Sequence, residues 1–198
     1  MATDTKKIVI NLLEFYDFTK KTVISVGAGG GQFIEYGHVS KQVIAIDSDK
    51  EAITRLENSL QKSQLLDKFI IINSDFFQVN RKGDIVMFEF CLHEMKNPES
   101  AINHALTMAS NILIIDHWPN SEWAYIVDEK EKVINSWKAL KKFKFKKIQR
   151  HDTVQFFHDY EELFQKVKNQ GETSINRIKQ YKGEKDFTIP MSYGFALI

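Results

Sequence analysis

Three clusters in this 198-residue chain have the types and spacing to hold a ligand. Gly27-Ala28-Gly29-Gly30-Gly31 follows the β-branched run Thr22 to Val26, and glycine lets backbone approach a ligand where a side chain would collide. The spacing G-x-G-x-x-G, which sets a pyrophosphate on a helix N-terminus, is missed by one position, and an empty strand-to-helix turn accounts for the glycines equally well. Asp47 closes the next apolar run, with Ser48 beside it. A carboxylate there accepts two hydrogen bonds from vicinal ribose hydroxyls, although a plain turn through Ser48 and Asp49 uses the same residues. After a third apolar run, Asp75 and Phe76 put an acid and an aromatic ring where an adenine would lie; an aspartate capping a helix beside a core phenylalanine has the same pattern. Their order is what discriminates. All three fall at carboxyl ends of predicted strands, where open α/β sheets bind ligands.

The elements that must position these residues follow from periodicity. Ile8, Ile10, Leu12, Leu13, Phe15 and Tyr16 sit mostly at helical spacing, so a helix precedes the sheet. Strands are predicted over 22–26, 42–46, 69–72, 84–90 and 111–115, with helices after Asp49 and from Pro98 to Ala109. These apolar runs lack clean alternation, which fits strands covered on both faces in a parallel sheet. The pattern then predicts one long helix over Glu122 to Leu140, a strand at Val154 to Phe157, a helical stretch from Asp159 to Tyr181 broken at Gly171, and a last strand from Phe187 to Ile198. The fold class is α/β, a doubly wound, mostly parallel Rossmann-like sheet, with an N-terminal helical segment (1–20) and a helical insertion (158–184) before the last strand, a candidate lid. One domain spanning 1–198 is expected.

Val23-Ile24-Ser25-Val26-Gly27-Ala28-Gly29-Gly30-Gly31 resembles the glycine motif of class I S-adenosylmethionine-dependent methyltransferases. Asp47 matches that family's ribose-binding acid, Asp75-Phe76 is similar to its adenine-side motif, and Phe88 to Met95 resembles the segment around its fourth strand. The resemblance covers roughly 22 to 116. It implies S-adenosyl-L-methionine as cofactor, held by Gly27, Ala28, Gly29, Gly31, Asp47, Ser48, Asp75, Phe76 and Glu89. One departure stands out: Ser25 occupies the position where the family often carries an acid, so the methionine amino group must find backbone carbonyls near Gly27, or Glu89.

Methyl transfer from a sulfonium is an in-line displacement in which positioning supplies much of the acceleration. Where an acceptor must lose a proton, His93, after the fourth strand, and His117, after the fifth, are the candidate bases, with His93 favoured and local hydrogen bonding as the plainer role of each. The group His93, Glu94, Asp116 and His117 invites a metal reading, but no H-x-x-x-H or H-E-x-x-H spacing supports it, and no metal is expected. Tyr16, His93, Trp118 and Tyr125 are expected to wall an acceptor pocket, while Trp123 or Trp137 packs the long helix onto the sheet.

The balance of 27 Lys and Arg against 26 Asp and Glu does not suit a phosphate-neutralising surface. The basic run Lys141 to Lys147 reads as solvated lysines alternating with buried phenylalanines at a strand edge. The single cysteine, Cys91, fits a reducing compartment, and no apolar run approaches the ~20 residues of a membrane span. The expectation is a soluble cytoplasmic enzyme, monomer or homodimer, acting on a small-molecule methyl acceptor. The alternatives are methylation of RNA or protein, or a cofactor-binding paralogue without turnover.

Overall fold

Apolar runs with no polar alternation need cover on both faces, and five of them form the parallel centre of one sheet. The computed structural model describes residues 2–3 and 5–198, with side chains from Thr5 onward. Its strands are β1 (Ala2–Thr3), β2 (Thr22–Val26), β3 (Gln42–Asp47), β4 (Phe69–Asn73), β5 (Ile85–Glu89), β6 (Ile112–His117), β7 (Lys147–Asp159) and β8 (Lys185–Leu197), in the spatial order β1-β7-β8-β6-β5-β2-β3-β4. Pairing is parallel from β4 through β6 and antiparallel where β8 joins β6, β7 joins β8 and β1 joins β7. From β2 the chain steps outward through β3 to β4, then returns to lay β5 on β2's other side. That reversal opens a crevice at the strands' carboxyl ends.

Alternation along each strand divides the core into two layers. Val23, Val43, Ile85 and Leu113 face one layer, completed by α1 (Thr5–Phe15), α2 (Lys50–Lys62) and α6 (Tyr160–Val167). Ile24, Ile44, Val86 and Ile112 face the other, completed by α3 (Pro98–Met108) and α5 (Lys130–Leu140). The helices start where side chains satisfy free N–H groups. Asp49 caps α2 by accepting from Glu51 N–H at 2.8 Å, and Asn97 caps α3 ahead of Pro98. A proline at the first helical position gives up no bond.

Five expectations change. The single helix over 122–140 is two, α4 (Glu122–Ile126) and α5, because Asp128 takes a left-handed conformation (φ 62°) between them. The fifth predicted strand runs on to His117, so Asp116 and His117 belong to β6 rather than to a loop after it. The strand expected at 154–157 is part of the 13-residue β7. The lysine run precedes β7 instead of lying along it; Phe143 and Phe145 are half-buried against the α3/α5 layer while the lysines between them are exposed. The helical stretch expected at 158–184 runs over 160–181, with α6, α7 (Glu172–Ile178) and short 3-10 turns, because β7 continues to Asp159. Among the described residues no helix is long and apolar enough to cross a membrane.

Candidate active site

A cavity of about 640 Å³ opens over the carboxyl ends of β2, β3, β4 and β5, with Ile8 of α1, Gln155 of β7 and Lys166 of α6 on its far side. The glycine turn forms its floor. Gly27 has φ +68°, and a Cβ there would meet Cys91 Cβ at 2.5 Å, so both backbone conformation and space demand glycine. Gly27, Ala28, Gly29 and Gly30 line the cavity. Gly31 does not: it turns away at φ +74° and packs against Leu56 and Ser59 of α2. Its task is to let the helix close on the turn.

Asp47 lies at the cavity edge with both oxygens already engaged, Oδ2 by Gly29 N–H at 2.8 Å and Oδ1 by Asp49 N–H at 2.9 Å. Each oxygen keeps a lone pair for a further donor. Those two bonds fix the carboxylate to the glycine turn. Ser48, Asp75, Phe76 and the exposed Phe77 line the next stretch of wall. Asp75 caps a short 3-10 turn by accepting from Phe77 N–H at 2.8 Å, and Phe76 sets its edge against Phe88 and His104.

Glu89 is the buried acid of the cavity. Its Oε1 accepts from Ser25 Oγ and from Tyr36 Oη, the latter at 2.8 Å. Burial pushes its pKa up to about 7 against the pull of those two hydroxyls, with the Asp47 charge adding to the rise. Ser25 stands on β2 where the resembling family often has an acid, and its hydroxyl points to an acid on the adjacent β5. Burial raises the Cys91 thiol as well, and its Sγ points to Val26 O at 3.1 Å.

A side void of about 240 Å³ adjoins the cavity and shares Phe90, Glu94, His117, Trp123 and Lys166 with it. His93 lines only this void. Its Nδ1 meets Asp116 Oδ1 at 2.6 Å, and its Nε2 lies 3.4 Å from Glu94 Oε1 and 3.5 Å from Glu129 Oε2. Burial opposes charge on the ring, yet Asp116, Glu129 and Glu94 outweigh it and push the His93 pKa up to about 12. His117 is the opposite case, because burial holds its pKa down against the pull of Asp116 and Glu129. Its Nδ1 is buried without a hydrogen-bond partner among the described residues.

Three expected wall residues stand elsewhere. Tyr16 lies toward the strands' amino ends, edge-on to Phe18 at 5.0 Å and near Asp84, because α1 stops at Phe15 and the chain there turns toward the start of β2. Trp118 packs against Trp137 at 4.6 Å over Gly194, sealing α5 onto the sheet. Tyr125 is exposed beneath the Arg177 guanidinium, 4.1 Å from the ring. Trp123 packs against Phe157 at 5.8 Å, as Trp137 packs against Trp118, and it also lines both voids. Phe90 was not singled out by sequence. It takes φ 50° at the end of β5, which sets its ring 5.6 Å from Phe33 and 5.0 Å from His117.

Residues 24–110 match a family model described as a methyltransferase domain. The matched stretch runs from β2 through α3 and is similar to a methyltransferase domain. No curated protein matches the chain's sequence. Solved structures share the fold at low identity. A candidate methyltransferase of Bacillus halodurans C-125 is 13% identical over 99% of this chain and 98% of its own, with a TM-score of 0.69. A SAM-dependent methyltransferase of Aquifex aeolicus is 18% identical, covering 98% and 89%, TM-score 0.59. Magnesium protoporphyrin IX methyltransferase of Synechocystis PCC 6803, with bound SAM, is 13% identical, covering 97% and 77%, TM-score 0.54.

Proposed function

We propose that the chain is a class I S-adenosylmethionine-dependent methyltransferase that holds its cofactor in the 640 Å³ cavity and methylates a small molecule seated in the adjoining 240 Å³ void. The observation that carries the reading is the set of three acids around one hollow: Asp47 for the ribose, Asp75 beside the purine, and Glu89 for the methionine ammonium. Gly27, Ala28 and Gly29 let backbone come close between them, and Ser48 and Phe76 complete the wall. Asp47 offers lone pairs in a fixed orientation, and Glu89 gains from a cation beside it because its charge is otherwise costly to bury. Once bound, S-adenosylmethionine supplies an electrophilic methyl group on a sulfonium.

The chain's part is to orient the acceptor and manage its proton. His93, enclosed by three carboxylates, borders only the side void, so the base role passes to His117, whose pKa burial holds down and which borders both voids. Trp123 and Phe90 exclude water from that border. The full chain, 1–198, acts as one domain in this reading, and segment 158–184 covers the acceptor side: Lys166 and Gln170 reach the void while Arg177, paired with Asp128 at 2.9 Å, holds the cover down. A void of this size admits a small molecule, and the near-neutral charge gives no extended anion-binding face.

The test is transfer of labelled methyl groups from S-adenosylmethionine into a cell extract, with the label sorted by mass. Label in the low-mass fraction is expected. Label found only in RNA or protein would overturn the acceptor assignment.

A further inference from the structure

The side void has the makings of a metal site. We infer that His93, Glu94 and Glu129 bind one first-row divalent transition-metal ion, with an open coordination position facing the acceptor void. The three candidate donor atoms lie within 4.8 Å of one another. His93 Nε2 is 3.4 Å from Glu94 Oε1 and 3.5 Å from Glu129 Oε2. Two ligands each about 2.0–2.1 Å from a tetrahedral zinc ion stand about 3.3–3.4 Å apart, so these separations need almost no adjustment.

The surroundings fit an ion as well. A metal-bound imidazole donates its other ring N–H to a carboxylate, which fixes its tautomer and rotation; His93 Nδ1 meets the fully buried Asp116 at 2.6 Å. Lys132 holds Glu94 from outside at 2.9 Å. The independent observation is His117. It is only 6% exposed, its Nδ1 has no hydrogen-bond partner among the described residues, and its Nε2 points toward Glu129 Oε2 at 3.8 Å. A ligand on the ion's open position would meet this ring on its Nε2 side, toward Glu129.

The donor set selects the ion. One imidazole with two carboxylates suits zinc, manganese, iron or cobalt, whereas magnesium and calcium prefer all-oxygen ligands. Three protein ligands with one open position is the arrangement of sites that hold a reacting molecule. Phe90, His117, Trp123 and Lys166 border both voids, so an ion here would hold the oxygen or sulfur of a small acceptor beside the cofactor cavity. That last step rests on the methyltransferase reading; the ion site does not. Sequence spacing hides the site because its donors come from a turn after β5 and from the break between α4 and α5.

The experiment is calorimetric titration of the chelator-treated protein with Zn²⁺, and separately with S-adenosylhomocysteine, for the wild type, Glu129→Gln and Glu94→Gln. One equivalent of zinc in the wild type, weakened at least tenfold in both variants while S-adenosylhomocysteine still binds, is expected. Mg²⁺ in excess should not compete. No zinc binding by protein that binds S-adenosylhomocysteine, or zinc binding indifferent to both substitutions, overturns the inference. Zinc binding without S-adenosylhomocysteine binding upholds the site and contradicts the cofactor reading instead. In the Co²⁺ form a small thiol should add a sulfur-to-metal charge-transfer band, and its absence would remove the open position.

Discussion

Glu89 shows how one buried carboxylate can tie stability, pH and ligand together. Its pKa is about 7 in the folded chain against an ordinary value of 4.5, so the unfolded chain gives up this proton first as pH rises. The associated stability is complete below the ordinary value and is lost as pH climbs through about 7. Compared with Glu89→Gln, the wild type should lose about 2 to 3 kcal/mol between pH 5 and pH 8 in denaturant titrations. A bound ammonium reverses the preference. S-adenosylmethionine should bind more tightly as pH rises through about 7, with release of a proton, and Glu89→Gln should flatten that dependence; a pH-independent dissociation constant in the wild type would remove Glu89 from the ammonium. Asp47 and the glycine turn were legible in sequence because each ends an apolar run, and a strand's end fixes where a residue stands. The Glu89–Ser25–Tyr36 bonds were not, since they join positions 25, 36 and 89 through the β2/β5 pairing.

Elements carry the difference between a wall and a packing residue. Helix phase was readable from spacing, but the left-handed Asp128 that ends α4 has no glycine or proline to announce it, and that break is what brings Glu129 to the side void. The same uncertainty misplaced Trp118: a strand that ends two residues later than predicted carries the chain past the site before α4 begins. Segment 158–184 was recognised as helical, and its anchoring rests on Arg177, which meets Asp128 at 2.9 Å and lies over Tyr125. Partly exposed ion pairs and cation–π contacts contribute roughly 0.5 to 1 kcal/mol each. Arg177→Ala should therefore speed amide hydrogen exchange in 160–181 by about three- to thirtyfold, leaving β2 to β6 unchanged. Equal acceleration across the sheet would show that the segment is part of the core rather than a cover.

At the scale of the molecule, the doubly wound sheet was predictable because five apolar runs need cover on both faces, whereas the antiparallel placement of β8 between β6 and β7 depends on long-range pairing that local pattern does not encode. A ligand that binds only the folded chain stabilises it by mass action, by about 2.7 kcal/mol at a hundred times its dissociation constant. For a chain of this length, S-adenosylhomocysteine at that level should raise the melting temperature by about 5 to 11 °C. NAD at the same concentration should leave it unchanged, because the glycine spacing does not suit a pyrophosphate. The account stands or falls on whether an adenosyl ligand occupies the hollow between Asp47 and Glu89. Calorimetric titration of S-adenosylhomocysteine into the wild type and Asp47→Asn tests this directly: one saturable site per chain, weakened about tenfold to a hundredfold by the substitution, is the predicted result. A folded wild-type protein that gives no saturable binding, or an Asp47→Asn variant that binds as well as the wild type, would contradict it.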